Sequence, residues 1–156
     1  MATRAYIIRR NTDGSLDYIY NHYDGYPLGV GVMLRDHYQD PNTVDQLIAL
    51  GDISYLGKTP VDPGNLWNDP AKTSTDNNDT YTKSYASRGD IHHAIHVDTD
   101  EAQTFIKNEH PMIEYIYVYD VNAKQWHVYD YTSYDWDQKK DLDELIELET
   151  KRHDNA

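Results

Sequence analysis

Met112-Ile113-Glu114-Tyr115-Ile116-Tyr117-Val118-Tyr119, the turn Asp120-Val121-Asn122-Ala123-Lys124, and Gln125-Trp126-His127-Val128-Tyr129-Asp130-Tyr131 read as a β-hairpin. Aromatic and β-branched residues recur at every second position on both sides of a polar turn, which is the pattern of paired strands. Successive side chains on a strand point to opposite faces. The first strand therefore carries Ile113, Tyr115, Tyr117 and Tyr119 on one face and Met112, Ile116 and Val118 on the other, and the second face is the expected core. The tyrosine row then has two readings. Either it is a stacking platform for a partner's side chains or a base, or another layer, such as the last helix, covers it.

Working outward, a second hairpin is expected at the N-terminus. Arg4 to Arg10 alternates around Tyr6 and Ile8, Asn11-Thr12-Asp13-Gly14 supplies turn residues, and Leu16 to Tyr23 resumes the strand pattern. Asp24-Gly25-Tyr26-Pro27 breaks that strand, and Pro27 is placed to open a helix over 28–38 that Gly29 and Gly31 weaken. Asp40-Pro41 caps a second helix carrying Val44, Leu47, Ile48 and Leu50, with Gly51 as its stop. Ile53 to Leu56 reads as a short helical turn, and 57–80 as a long loop of Pro, Gly, Asn, Asp, Ser and Thr. Strands are expected over 80–86 and 91–97, a helix capped by Asp98 or Thr99, and a final helix over about 136–151 with Leu142, Leu145, Ile146 and Leu148 on one side, then a frayed tail over 152–156. The fold class is α+β: one domain over 1–156, an antiparallel sheet built from hairpins, helices packed on one face, and an acidic C-terminal helix. A chain of 156 residues is the size of one domain.

Charge narrows the function classes. The chain holds 14 Lys and Arg against 27 Asp and Glu, a net of −13. Residues 1–97 contribute 12 acids and 8 bases, a net of −4; residues 98–156 contribute 15 acids and 6 bases, a net of −9. Direct binding to nucleic acid requires clustered Lys and Arg, so a basic protein surface is the better partner. The absence of cysteine excludes disulfides, thiolate metal ligands and thiol nucleophiles. With neither a signal-peptide pattern nor 18 consecutive apolar residues, the expected location is the cytoplasm.

No cofactor is expected. In Ile91-His92-His93-Ala94-Ile95-His96, strand geometry sets His92 and His96 about 13 Å apart, too far to share a zinc ion. G-x-S-x-G, Walker A and H-E-x-x-H patterns are missing, so no catalytic residue is assigned. The alternative expectation is a ligand site at His22, Asp24, Tyr26 and Arg88, which combine a base, a carboxylate, a phenol and an anion clamp. The other candidate surface is acidic. Tyr115, Tyr117, Tyr119, Asp130, Asp137, Asp141 and Glu144 would present carboxylates spaced like nucleic-acid phosphates beside aromatic rings, unless the charged run is only a solvated helix face.

Tyr18-Ile19-Tyr20-Asn21-His22-Tyr23-Asp24-Gly25-Tyr26-Pro27, followed by Gly29-Val30-Gly31, Leu47-Ile48-Ala49-Leu50-Gly51-Asp52-Ile53-Ser54 and Arg88-Gly89-Asp90, resembles segments of small proteins encoded by bacteriophages and prophages. The resemblance covers chiefly the first 57 residues and carries no catalytic role with it. What it implies is a setting: small acidic phage accessory proteins include many that disarm host defences by binding an effector, a nuclease or a signalling nucleotide. Together with the acidic helix, the expectation is an inhibitor of a host defence or nucleic-acid-handling protein that acts by stoichiometric binding, in the manner of a DNA mimic. The alternative is a protein that sequesters or cleaves a nucleotide. A third is a homodimer or larger self-assembly through the apolar hairpin face.

Overall fold

A computed structural model describes residues 3–64, 80–98, 112–130 and 139–154. The two hairpins form as their sequences require. β1 (Arg4–Arg10) and β2 (Leu16–Asn21) pair antiparallel with Ile8 opposite Tyr18, around a turn in which Asp13 accepts hydrogen bonds from the Ser15 backbone and hydroxyl. The helical stretch after β2 divides: Pro27–Gly31 is a π turn, and α1 spans Val32–His37. The two glycines fall in the wider turn, consistent with their low helix propensity. α2 (Pro41–Ala49) is capped by Asp40, whose carboxylate accepts from the Asn42 N–H.

Ile53–Tyr55 is a strand, β3, and not the helical turn its sequence suggests. A run of three residues shows no period, and here pairing decides: β3 lies parallel to the end of β2, with Asn21 opposite Ile53. Where the ladder gives out, the Asp52 side chain takes over a strand's role and accepts the Tyr20 N–H at 2.9 Å. β4 is only Lys83–Ser84, antiparallel to β3, and β5 is Ile95–Val97, antiparallel to the other end of β2. The first part of the expected loop folds back on β4, with Asp62 accepting from the Ser84 N–H and hydroxyl. The expected helix after Asp98 lies outside the described residues.

β6 (Ile113–Asp120) and β7 (Gln125–Asp130) complete the clearest hairpin, and β8 (Lys140–Asp141) pairs with β7. The last helix, α3, begins at Leu142, later than expected, and runs to Asp154 through part of the expected frayed tail. The strand order is β4-β3-β2-β1-β6-β7-β8, with β5 on β2. The α+β class stands, but the sheet is mixed, because β1 runs parallel to β6 and β2 parallel to β3.

The β1–β6 joint corrects the expected core. A bulge at Glu114 breaks the register, so that Arg4 lies opposite Ile113 and Ala5 opposite Tyr115. Tyr115, Tyr117 and Tyr119 then share one buried cluster with Ile7, Ile19, Leu34, Leu47, Trp126 and, from α3, Leu142, Leu145 and Ile146. The tyrosine row is core, under helices, and offers no exposed platform. Its phenols have partners: Tyr117 Oη donates to the Gly25 carbonyl at 2.6 Å and Tyr119 Oη to the Gln39 carbonyl at 2.8 Å. The opposite face is buried too, through Tyr6, Ile8, Leu16, Tyr18, Ile113, Ile116 and Val118, while Met112 is exposed.

Candidate functional site

After Asn21 the backbone of β2 continues along β3, with the His22 N–H donating to the Ile53 carbonyl and the Tyr23 N–H to that of Ser54. Asp24 then adopts a left-handed conformation at φ 58°, which aspartate tolerates better than most residues. Gly25 follows flush against β1. A Cβ there would sit 2.6 Å from the Thr3 carbonyl oxygen and 2.9 Å from the Ala5 Cβ, so no larger residue fits without movement. The turn is tied down by Gly25 N–H to Thr3 O, Val30 N–H to Asp24 O, and the phenol of Tyr117 on the Gly25 carbonyl.

With the backbone consumed by these bonds, the side chains of Tyr23, Asp24 and Tyr26 are left for the surface. Tyr23 is 49% exposed and Tyr26 42% exposed. They border a cleft of about 440 Å³ whose apolar lining comes from Leu28, Val30, Val32, Met33 and Leu56, and whose charged or polar lining adds Asp36, His37, Tyr55 and Lys58. That volume falls in the range of small-ligand sites, roughly 300–1,000 Å³. The π turn over Pro27–Gly31 supplies Leu28 and Val30, and such turns recur at functional sites. Tyr26 Oη reaches Asp24 Oδ1 at 3.4 Å; burial and the neighbouring Asp24 carboxylate push the phenol's pKa up, so it remains a donor. Asp36 is held below the usual carboxylate range by its hydrogen bond from Arg35 at 2.8 Å.

The proposed ligand residues separate. Asp24 and Tyr26 line the cleft, whereas His22 bonds through Nδ1 to Tyr20 Oη at 2.6 Å, and burial followed by the charge of Arg4 depresses its pKa. Arg88 pairs with Asp90 and lies over the Tyr85 ring, 4.9 Å from its centre. Tyr23 is the link, since it meets the His22 ring edge-on at 4.5 Å and also lines the cleft. Its sequence signal was its place between His22 and Asp24 in an aromatic-rich turn.

Among the proposed partner-binding residues, Asp141 caps α3 by accepting the Glu144 N–H at 3.2 Å, and Glu144 is exposed on the first turn. Asp130 ends β7 opposite Tyr115, and Asp137 lies outside the described residues. Asp143 and Glu147, each 70% exposed, extend the acidic side of α3, while Lys151 and Arg152 pair with Glu147 and Glu149 near its end. Arg35 connects the two regions: it bonds Asp36 in the cleft and lies 3.9 Å from Asp143 of α3.

The histidine cluster is used structurally at His96, which bridges Asp17 Oδ1 at 2.6 Å and Asp98 Oδ1 at 3.0 Å across the β2–β5 pair. The hydrogen bond to Asp17 first, and that to Asp98 after it, raise its pKa above the ordinary 6.5. A raised histidine pKa stabilises the fold fully below the unfolded value, and the contribution is lost as pH rises through the folded value. The expected NMR result is a His96 titration midpoint above 6.5 that Asp17→Asn returns toward it, with amide protection of β5 weakening at alkaline pH. An unshifted midpoint in the native protein would remove the bridge.

The chain matches no protein-family model, no curated protein and no solved structure.

Proposed function

We propose that the protein is a non-enzymatic accessory protein that inhibits a basic partner protein by stoichiometric binding through an acidic surface running from the Asp24–Tyr26 cleft across α1 to α3. The observation that supports this reading is Arg35, which bonds Asp36 of the cleft and lies 3.9 Å from Asp143 of α3, the helix that also carries Glu144 and Glu147. The tyrosines of the surface are Tyr23 and Tyr26, in place of the buried Tyr115, Tyr117 and Tyr119. Half-exposed tyrosines beside carboxylates suit an interface, where aromatic anchors supply affinity and charge supplies steering and selectivity. The phage-like H-Y-D-G-Y-P segment supplies the setting, a host defence or nucleic-acid-handling protein as target.

Capture from a host lysate tests the reading. The wild-type protein is expected to retain a basic partner at low salt and to release it at ~0.5 M salt, where the screening length falls to roughly 4 Å. The triple charge reversal Asp143→Lys, Glu144→Lys, Glu147→Lys is expected to abolish capture while leaving the fold intact, because all three side chains face solvent. Capture indifferent to both salt and charge reversal sinks the idea.

A nucleotide in the cleft is the second reading, favoured by the cleft's volume and its tyrosines. Thermal-shift measurements with cyclic and linear nucleotides check it, since a ligand at 100 times its Kd adds about 2.7 kcal/mol of stability.

A further inference from the structure

We propose that the cleft bordered by Tyr23, Asp24 and Tyr26 is an anchoring pocket for an arginine side chain of the partner protein. The inference rests on the acidic-surface reading and names the group that the surface takes.

Asp24 carries it. The other carboxylate of the cleft, Asp36, has its cation in Arg35. Among the described residues the Asp24 carboxylate accepts a single hydrogen bond, the long one from Tyr26, and no cation pairs with it. An ionised carboxylate offers about four acceptor positions, so most of Asp24 is unused and faces a concave site. The backbone makes this placement deliberate in physical terms. The main chain of the left-handed turn is held by the Val30 N–H, the Thr3 carbonyl and the Tyr117 phenol, so the Asp24 carboxylate has no part in those bonds.

The rest of the lining suits a guanidinium. Tyr23 and Tyr26 present exposed ring surface for a cation to stack against. Val30, Met33 and Leu56 offer apolar contact for the methylene stem of a long side chain. A planar fork can bond a carboxylate through two N–H groups while it stacks on a ring, which an ammonium cannot do. His37 and Lys58 line the same cleft, so the attraction is local to Asp24 and its tyrosines and does not come from the cleft's net charge. At about 440 Å³ the cleft exceeds one side chain and leaves room for an apolar neighbour of the arginine.

Nα-acetylarginine amide, the corresponding lysine amide and the uncharged citrulline amide serve as probes, followed by NMR on the full chain. The arginine probe is expected to shift the Tyr23, Tyr26 and Met33 signals, with the lysine probe weaker and the citrulline probe weaker by about tenfold. Asp24→Asn is expected to weaken the arginine probe by about tenfold while the melting temperature holds, because asparagine tolerates the left-handed backbone. Citrulline binding as tightly as arginine, an unaffected Asp24→Asn variant, or arginine leaving the three signals unmoved each overturns the proposal. If the probe binds but salt-sensitive capture is absent, the acidic-surface reading fails alone. If capture persists without probe binding, the arginine pocket fails alone.

Discussion

Tyr117→Ala is expected to destabilise the protein by about 3–5 kcal/mol, the range for removing a large aromatic side chain from a packed core. Total stability of a domain is only about 5–15 kcal/mol, so the variant should be close to unfolding at room temperature. Tyr117 has no exposed surface, packs with the helix-side cluster and donates to Gly25 at 2.6 Å. Tyr117→Phe separates the contributions. It keeps the ring but leaves the Gly25 carbonyl without that donor, and about 1–3 kcal/mol should be lost. Because Gly25 holds the turn that presents Asp24, the phenylalanine variant should also loosen the cleft, visible as broadened Tyr23 and Tyr26 signals. Urea denaturation reads both variants. A loss below about 0.5 kcal/mol for the alanine variant, the level of an ordinary surface substitution, would return the tyrosine row to the surface.

Gly51→Ala should be nearly as damaging. Gly51 sits at φ 76°, and a Cβ added there would lie 2.1 Å from the His92 carbonyl oxygen, a backbone atom that cannot rotate away. The left-handed conformation costs an alanine about 1–2 kcal/mol, and displacing the 92–93 backbone costs about 1–3 more. The neighbouring bonds would share the disturbance, since Asp52 N–H donates to the same His92 carbonyl and the Asp52 carboxylate accepts from Tyr20. Gly14→Ala is the control. Its φ of 88° imposes the same backbone strain, but nothing lies within 4 Å of the added Cβ, so only about 1–2 kcal/mol should be lost. Equal midpoints for the two variants in urea would show that the close approach to His92 is absent. The Leu-Gly-Asp-Ile-Ser segment that joins the phage-like resemblance is thus a packing device, with Gly51 admitting the 92–93 chain and Asp52 completing the edge of β2.

Much of the local structure was legible from spacing alone. Alternation marked β1, β2, β6 and β7, and Asp40-Pro41 marked the start of α2, because strand pleat and helix capping depend on neighbours a few residues away. Short elements were legible only in part: β3 was read as a helical turn, and β4 and β5 are shorter than the strands expected over 80–86 and 91–97. β3 has three residues and β4 two, and each is a strand only because a distant partner bonds to it. The site was half legible: the aromatic turn singled out Asp24 and Tyr26, but the grouping with His22 and Arg88 dissolved once each had found a different neighbour.

The amino-acid sequence by itself determined the hairpins, the capped helix, the acidic excess over 98–156 and the strand break at Asp24-Gly25-Tyr26-Pro27, since all of these are settled by residues close along the chain. Only the tertiary structure decided which tyrosines meet solvent. Period-two spacing sorts side chains into two faces but does not say which face the helices cover. That choice was made by the parallel joint between β1 and β6, more than a hundred residues apart, and by the packing of α3. Burial followed those long-range contacts, placing Tyr115, Tyr117 and Tyr119 in the core and leaving Tyr23 and Tyr26 exposed at the cleft beside Asp24.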